Sequence, residues 1–337
     1  MKDMKDKKTI AISLPCWNEE ENIENMVNAL EKIFNEKLTE YNYIIQFIDN
    51  CSTDNTRNIL REISNSDKHV RAIFNVSNVS GSAIHGILQT NGDCCIHMAS
   101  DFQDPPELIV DLVKKWEEGA KVVCAIKTSS EEKKSMWMVR SLYYKIMSSF
   151  STIPQIKHFT GFGLYDKEFL TILRQLGDPT PTLRGIVAEY GYNVEKVYYK
   201  QPIRKHGKSS MNFMRNYDYA MKSFTTYSKS LFHIVTLLGI GIAGISFLVT
   251  IIGVLLILFA GLNVSLFNCI VLGLIIFVGA GQFALIGLLG EYVINILVRT
   301  IRRPLAIEAE RVGFEDDVLP NPESTSPYSA YPPFSNR

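Results

Sequence analysis

Short apolar runs alternate, in the N-terminal part of the chain, with longer stretches in which apolar side chains recur every three or four positions. The short runs predict five strands, at residues 9–15, 43–49, 70–74, 94–99 and 121–126. The stretches between them predict four helices, at residues 20–34, 54–63, 82–89 and 105–116. Repeated strand–helix units build a mostly parallel sheet with helices on both faces. We therefore predict an α/β fold for this part of the chain.

Two much longer apolar stretches lie near the C-terminal end, at residues 231–260 and 266–298. Each exceeds the roughly 20 residues that a helix needs to cross the hydrocarbon core of a membrane. We predict two transmembrane helices, joined by the short uncharged turn at residues 261–265. Within these stretches Glu291 is the one residue among Asp, Glu, Lys and Arg, and its place beside the following arginines indicates a polar helix end.

Positive charge lies on the outer flanks of this predicted hairpin and is absent from its turn. Lys222 and Lys229 precede the first helix, and Arg299, Arg302 and Arg303 follow the second. By the positive-inside rule both flanks are cytoplasmic. The hydrophilic N-terminus precedes an apolar run that is too short for the core of a signal peptide. We therefore expect the large domain to stay in the cytoplasm.

The chain is thus expected to have three parts: a cytoplasmic domain at residues 1–229, two transmembrane helices within residues 230–300, and a cytoplasmic tail at residues 301–337. Lysine plus arginine and aspartate plus glutamate both number 35, so no global basic field indicates a nucleic-acid partner. The six cysteines form no CxxC pair, and we expect reduced thiols. The GIGIAG run at residues 239–244 lacks a preceding strand, so we interpret its glycines as helix-packing positions.

Polar residues gather where three of the predicted strands end. These clusters are residues 15–20 (PCWNEE), 49–54 (DNCSTD) and 100–106 (SDFQDPP). Because ligands bind at the carboxyl ends of the strands in such sheets, we expect a nucleotide and a divalent cation at this edge. Asp54 has an alternative interpretation as a helix cap. Asp101 precedes a helix that the double proline already starts, so we interpret Asp101 as a ligand. His97, inside the fourth strand, is interpreted as a packed core residue.

The segments LPCWNEEENI, FIDNCSTDNT and ASDFQDPPEL resemble, in order and spacing, the three signatures of family 2 glycosyltransferases, which have the GT-A fold. With the predicted membrane hairpin behind them, the chain is similar to the polyprenyl-phosphate glycosyltransferases, the group that includes dolichol-phosphate mannose synthases and bactoprenol glucosyltransferases. The resemblance implies a GT-A catalytic domain with a Rossmann-like sheet. It also implies a multi-pass protein of the inner (plasma) membrane that forms a homo-oligomer.

The resemblance assigns roles to residues at the three strand ends. It implies that seven residues bind the nucleotide-sugar: Pro15, Trp17, Glu19, Asp49, Asn50, Ser100 and Asp101. In this assignment Pro15, Trp17 and Glu19 surround the base and ribose, and Asp49 with Asn50 contacts the base. Asp101 and Gln103 match the motif that holds a divalent metal, Mg²⁺ or Mn²⁺, against the donor diphosphate. This role makes both residues catalytic.

A basic segment, RKHGKSS at residues 204–210, resembles the family element that closes over the active site and handles phosphate. The resemblance implies that Arg204 and Lys208 are catalytic and that both bind the acceptor phosphate together with Ser209. Two further candidates for that phosphate, Arg140 and Lys145, lie on a predicted amphipathic stretch. Solvation beside an anionic membrane surface is the alternative interpretation of these two.

Four positions depart from the family pattern: Asn50, Ala99, Gly163 and Ser210. Ala99 replaces the first acid of the DxD motif, which leaves the metal to Asp101, Gln103 and the donor diphosphate. Asn50 replaces an aspartate, although an amide can still hydrogen-bond a nucleobase. Gly163 and Ser210 stand where relatives carry basic residues, and Lys208 is the expected substitute for the second.

The resulting prediction is inverting transfer of a sugar from a nucleotide-sugar, UDP-glucose or similar, to undecaprenyl phosphate for a cell-envelope glycan or glycoconjugate. A polyprenyl phosphate is already an anion near neutral pH, so its attack on the sugar needs no strong general base. The altered motifs leave two alternatives open: a nucleotide-sugar-binding membrane scaffold without activity, and a glycosyltransferase with a different acceptor. A processive synthase is disfavoured because no tryptophan here follows Gln-x-x-Arg.

Overall fold

The computed structural model describes residues 7–130, 156–178, 181–202 and 304–314, together with scattered helical positions between 271 and 300. The chain divides into two compact units. The first comprises Met1–Tyr144, Pro154–Asn212 and Arg302–Arg337, and the second Lys145–Ile153 and Phe213–Ile301. The elements named below all belong to the first unit.

Strands and helices alternate between residues 9 and 130, as the apolar pattern predicts. The strands are β1 (Thr9–Cys16), β2 (Asn42–Asp49), β3 (Val70–Asn75), β4 (Cys94–His97), β5 (Val122–Ser130), β6 (Phe159–Asp166), β7 (Val194–Gln201) and β8 (Glu308–Val312). The α-helices are α1 (Ile23–Lys37), α2 (Thr56–Ser66), α3 (Ser82–Leu88), α4 (Ile109–Glu117), α5 (Lys167–Leu176) and α6 (Leu183–Tyr190). A 3₁₀ turn at Pro106–Leu108 precedes α4.

All eight strands form one sheet in the order β7-β5-β6-β4-β1-β2-β3-β8. The pairs β5–β7, β4–β1, β1–β2 and β2–β3 are parallel. The pairs β5–β6, β4–β6 and β3–β8 are antiparallel. The predicted α/β class with a mostly parallel sheet is therefore confirmed.

Alternating side chains of the strands build a core on each face of the sheet. On one face Ile10, Ile12 and Leu14 of β1 pack in a cluster with α1 and α4. On the other, Cys95 of β4 packs in a cluster that includes side chains of α3, α5 and α6. Burying one aliphatic side chain of this size contributes about 1.5–3 kcal/mol. Helical spacing on α1 is what places Ile23 and its neighbours on one buried face.

Several elements begin or end at different residues than the apolar pattern predicts. β4 ends at His97, two residues early, because the backbone N–H of Ala99 donates to the Asp104 carboxylate instead of to a strand partner. The helix predicted from residue 54 begins at Thr56, and Asp54 accepts a 3.1 Å hydrogen bond from the Thr56 N–H. This contact agrees with the helix-start interpretation of Asp54.

No helix among the described residues is long and apolar enough to cross a membrane. The first predicted span, residues 231–260, lies outside the described residues, and the second, residues 266–298, lies only partly within them. The predicted tail contributes β8 to the sheet, and its residues from 315 onward lie outside the described ranges. The five cysteines in the described residues, Cys16, Cys51, Cys94, Cys95 and Cys124, are free thiols as expected.

Candidate functional site

The carboxyl ends of β4, β1 and β2 lie side by side. They are followed by three loops, at residues 98–105, 17–22 and 50–55. Parallel pairing in register brings these ends to one edge of the sheet. Two hydrogen bonds join the loops to β1. The backbone N–H of Asn50 donates to the Cys16 carbonyl at 2.9 Å, and Ser100 Oγ donates to the Pro15 carbonyl at 3.1 Å.

The loops after β1 and β2 are bound to each other by a dense set of hydrogen bonds. The Asn18 N–H donates to Ser52 Oγ at 2.9 Å, and Asn18 Oδ1 accepts from the Thr53 N–H at 2.8 Å. The Glu19 N–H donates to Thr56 Oγ1 at 2.9 Å. These contacts fix the two loops as one rigid rim.

Each of the three loops holds one non-glycine residue in the left-handed backbone region. These residues are Asn18 (φ 54°), Cys51 (φ 64°) and Phe102 (φ 59°). Such a conformation costs about 1–2 kcal/mol for a residue with a Cβ atom. The surrounding hydrogen bonds must offset that cost, so the loop conformations are imposed by the fold.

Asp49, predicted to contact the nucleobase, is fully buried at the end of β2. Its Oδ2 accepts a 2.7 Å hydrogen bond from Nε of Arg57, and its carboxylate also accepts from the Ser52 N–H at 3.2 Å. Arg57 in turn donates to the Asn75 carbonyl at 2.6 Å. The Asp49 carboxylate thus binds both its own loop and α2. Its contact with the nucleobase stays a prediction.

Asn50 points from the loop after β2 toward the loop after β3. Its Oδ1 accepts a 2.9 Å hydrogen bond from the Val79 N–H, and its Nδ2 donates to the Val79 carbonyl at 3.1 Å. Nδ2 also lies 3.2 Å from Asn78 Oδ1. The amide that replaces the family aspartate therefore links the loops that follow two neighbouring strands.

The loop after β4 carries the predicted metal ligands. Asp101 and Gln103 are both partly exposed, and Asp101 Oδ1 accepts a 3.1 Å hydrogen bond from the Gln103 N–H. No group of three or more His, Cys, Asp or Glu that could hold a metal occurs in the described part of the chain. One carboxylate with one amide oxygen suits a hard cation that keeps waters and substrate oxygens as further ligands. The donor set therefore fits Mg²⁺ or Mn²⁺ held jointly with a diphosphate.

Asp104 is a site residue that the sequence analysis did not identify. It is buried, and its two oxygens accept hydrogen bonds from the Ala99 N–H at 3.0 Å and the Tyr199 hydroxyl at 2.8 Å. Burial first, and then the Asp104 carboxylate, raise the pKa of Tyr199 well above its usual value. Tyr199 therefore stays a hydrogen-bond donor at physiological pH. An Asp directly before a double proline was the available signal for this role.

Trp17 and Glu19, predicted to surround the base and ribose, differ in their exposure. The Trp17 side chain is 37% exposed at the sheet edge, whereas Glu19 is 6% exposed. Glu19 Oε2 accepts a 2.6 Å hydrogen bond from Asn22 Nδ2. Trp17 is thus open to a ligand, and Glu19 contributes to the start of α1.

Gly163 and His97 face each other across the antiparallel pair β4–β6. A Cβ atom on Gly163 would lie 2.3 Å from the Val123 carbonyl oxygen, so the sheet leaves no room for a side chain at this position. Burial lowers the pKa of His97 to about 4, against a smaller opposing effect of the Ser13 backbone. His97 is half-buried at the end of β4, with its Nδ1 atom buried, and it is neutral near pH 7.

The remaining predicted site residues, which concern the acceptor phosphate, lie outside the described residues. They are Arg140, Lys145, Arg204, Lys208 and Ser209. Their roles stay predictions. The structure brings together, at one edge, Pro15 near the end of β1 and the loops that carry Trp17, Asn50 and Asp101.

Comparison with known proteins extends this picture. Residues 11–174 match the family model described as glycosyl transferase family 2. The chain is 28% identical over 313 residues to the uncharacterized glycosyltransferase YkcC of Bacillus subtilis (strain 168), covering 92% of this chain and 96% of the relative. It is 29% identical over 299 residues to the bactoprenol glucosyl transferase of Shigella phage SfX, covering 88% and 97%.

Among solved structures, glucosyl-3-phosphoglycerate synthase from Mycobacterium tuberculosis, in complex with Mn²⁺, uridine diphosphate and phosphoglyceric acid, is similar with a TM-score of 0.46. The two sequences are 17% identical, and the match covers 65% of this chain and 77% of that one. The sequence comparisons determine the class of protein. The chain is a glycosyltransferase, and its residues 11–174 match the glycosyl transferase family 2 model.

Proposed function

We propose that this glycosyltransferase moves a sugar, glucose or a similar hexose, from a uridine diphosphate donor to a polyprenyl phosphate. The observation that carries the proposal is the extent of the similarity to bactoprenol glucosyl transferase. That similarity covers 88% of the chain and so reaches beyond residues 11–174 into the apolar stretches. A soluble acceptor would give no reason for relatives to share the apolar part.

The donor is proposed to bind at the loops that follow β1, β2 and β4, in a GT-A domain. Trp17 offers an exposed indole face for stacking on the base. Asp49 and Asn50 lie beside the rim that would receive the base, and Ser100 with Pro15 joins that rim to the loop of Asp101. Hydrogen bonds between the loops hold these groups in place before the donor binds, which lowers the entropy cost of binding.

Asp101 and Gln103 are proposed to orient the donor diphosphate. When bound between them, Mg²⁺ or Mn²⁺ neutralises the negative charge that develops on the leaving diphosphate. Asp104 and Tyr199 fix the backbone on which these two residues stand. The chain thereby supplies a preorganised edge that would hold the cation against the donor diphosphate.

The reaction is proposed to be a single displacement. An acceptor phosphate oxygen forms a bond to the anomeric carbon, the bond to the donor diphosphate breaks, and the nucleoside diphosphate leaves with the electron pair. Configuration at the anomeric carbon is inverted. We assign Arg204, Lys208 and Ser209 to the acceptor phosphate, with Arg140 and Lys145 as further cations, because guanidinium and ammonium groups bind phosphate by charge-assisted hydrogen bonds.

The sheet topology supports a membrane hairpin. β7 ends at Gln201 and β8 begins at Glu308 in the same sheet, so the connecting chain leaves and re-enters one folded unit. A connection of this kind requires an even number of membrane crossings. Two helices at residues 231–260 and 266–298 meet that requirement, with the catalytic unit on the cytoplasmic side of the inner membrane. Their glycine-rich faces suit packing in a homo-oligomer.

Transfer to lipid tests this proposal directly. Membranes that contain the protein are incubated with undecaprenyl phosphate and a panel of radiolabelled UDP- and GDP-sugars, with and without EDTA. We expect labelled lipid from a UDP-hexose and its loss with EDTA. Membranes with an Asp111→Ala variant, which alters an exposed carboxylate on α4, serve as the matched control and should retain transfer. No labelled lipid from any donor would overturn the proposal.

A nucleotide-sugar-binding scaffold without activity is the second candidate, and Ala99 favours it because it removes one acid of the metal motif. Thermal stabilisation by UDP with Mn²⁺ is expected for both functions. Turnover of the donor is expected for the enzyme alone. A protein that UDP stabilises but that releases no UDP from any donor would therefore be the scaffold.

A further inference from the structure

Residues 304–312 follow the apolar stretches in the sequence and return to the catalytic sheet. They are here named the returning segment. The β8 strand within this segment pairs antiparallel with β3 and forms the edge of the sheet on that side. Glu310 in this segment binds Arg61 of α2 through both carboxylate oxygens, with a shortest distance of 2.8 Å. The family 2 match ends at residue 174, so this edge strand lies outside the matched residues.

The backbone of the returning segment touches the loop between β3 and α3, residues 76–81. The Val76 N–H donates a 2.9 Å hydrogen bond to the Ile307 carbonyl. Gly81 lies so close that a Cβ atom there would be 2.5 Å from the Leu305 carbonyl oxygen. Both ends of the loop therefore rest directly on the returning segment.

Side chains fix the segment in this position. Glu308 Oε1 lies 2.5 Å from His85 Nε2 of α3 and accepts a 2.7 Å hydrogen bond from Arg311. Arg311 also donates to Gln89 Oε1 at 2.8 Å. Burial would raise the pKa of Glu308, but hydrogen bonds with His85 and Arg311 lower it to about 2. Glu308 is therefore an anion held by two partners at neutral pH.

The same loop holds Asn50 from its other side. Val79, in the middle of the loop, donates its N–H to Asn50 Oδ1 at 2.9 Å and accepts from Asn50 Nδ2 at 3.1 Å. Asn50 follows directly on Asp49 at the proposed base site. A continuous set of hydrogen bonds and close contacts thus runs from Glu308 through the loop to Asn50.

We propose that the returning segment is a positioning element of the nucleotide pocket, acting through the loop at residues 76–81 on Asn50. The proposal rests on the proposed function, because it assumes that the nucleobase of the donor binds beside Asn50. The consequence is that donor binding depends on residues that follow the apolar stretches, far from the signature motifs in sequence. Asp101 and Gln103 follow β4, and three strands, β1, β2 and β3, separate β4 from β8 in the sheet. We therefore expect catalysis to keep its rate once the donor is bound.

Two variants test the proposal in the full-length protein. Glu308→Ala removes the partner of His85 and Arg311, and Gly81→Ala drives the loop away from Leu305. We expect each to raise the dissociation constant of UDP, measured by calorimetry, and the donor KM by about two- to thirtyfold, with kcat changed by less than about twofold. Glu308→Gln, which keeps a hydrogen-bond acceptor, should bind UDP more tightly than Glu308→Ala.

Glu118→Ala is the matched control, since Glu118 is likewise a carboxylate with a basic partner, Lys115 at 2.8 Å, but lies at the end of α4. It should bind UDP as the unaltered protein does. If Glu308→Ala fails to fold, the UDP affinity of Gly81→Ala tests the proposal. Wild-type UDP affinity in folded Gly81→Ala, or a fall in kcat at constant KM, would overturn the positioning role alone. Absence of UDP binding by the unaltered protein would overturn the proposed function and this inference together.

Discussion

The hydroxyl group of Tyr199 donates a 2.8 Å hydrogen bond to Oδ1 of Asp104, and Oδ2 of the same carboxylate accepts from the backbone N–H of Ala99. Tyr199 lies on β7, the strand at one edge of the sheet, whereas Asp104 lies in the loop that carries Asp101. One buried carboxylate therefore ties that loop both to its own start and to a distant strand. This relationship sets the position of the proposed metal ligand.

Loss of the Tyr199 hydroxyl is expected to weaken the fold measurably. A hydrogen bond to a buried charged group contributes about 1.5–3 kcal/mol, so Tyr199→Phe should lower the free energy of unfolding by about that amount. Tyr198→Phe is the matched control, because Tyr198 is 62% exposed. Surface changes of that kind stay within about 0.5 kcal/mol. Chemical denaturation of both variants gives the comparison, and equal stabilities would contradict the role of the Tyr199 hydroxyl.

Asp101→Ala is expected to abolish transfer while leaving the fold intact. Asp101 is partly exposed and accepts a hydrogen bond within its own loop, from the Gln103 N–H, so we expect its loss to remove little packing. Loss of a group that stabilises the leaving diphosphate should lower kcat at least about 100-fold. Asp111→Ala, on the exposed face of α4, should retain full activity. Normal transfer by the Asp101 variant, measured with radiolabelled donor, would exclude Asp101 as a metal ligand.

A side chain at position 163 is expected to destabilise the sheet. The Cβ atom of Gly163→Ala would meet the Val123 carbonyl oxygen at 2.3 Å, and a backbone atom inside a sheet cannot easily move aside. Forced insertions of this kind cost about 1–3 kcal/mol. The melting temperature of Gly163→Ala should fall, whereas that of Lys157→Ala, an exposed change just before β6, should not. Unchanged stability of the glycine variant would show that β5 and β6 can separate locally.

His97 is expected to make stability sensitive to acid. Its pKa falls from 6.5 to about 4 in the folded protein, so the unfolded chain binds the proton first as the pH decreases. The neutral histidine therefore favours folding fully above about pH 6.5, and this contribution is lost as the pH falls toward 4. Melting temperatures should drop more between pH 7 and pH 5 in the unaltered protein than in His97→Gln. Parallel pH profiles of the two proteins would refute this role of His97.

Hydrophobic periodicity was sufficient to predict the alternating elements from β1 to β5, because each strand or helix there buries an apolar face that its own residues encode. The three polar loops were predicted to meet at one edge, since the ends of parallel strands point the same way. β6 and β7 were not predicted. β7 is an edge strand with the sequence VEKVYYKQ, and its charged residues conceal the alternation of its two faces.

Within the site, the sequence indicated which residue types are present but not which way they point. Asp49 and Asn50 are adjacent in the chain, yet Asp49 faces inward to Arg57 and Asn50 faces Val79. Asp104 is chemically as good a ligand as Asp101, but it is buried against Tyr199. Such differences depend on partners from other elements, which local sequence does not specify.

The amino-acid sequence by itself determined the α/β class, the family signatures and the two apolar stretches, because contiguous residues carry each of these signals. Only the tertiary structure decided that β8, a polar segment of five residues, completes the sheet beside β3. Its side chains find their partners, Arg61 and His85, more than 200 positions earlier in the chain. A contact of that kind depends on the folded sheet bringing both segments together, and no local pattern records it.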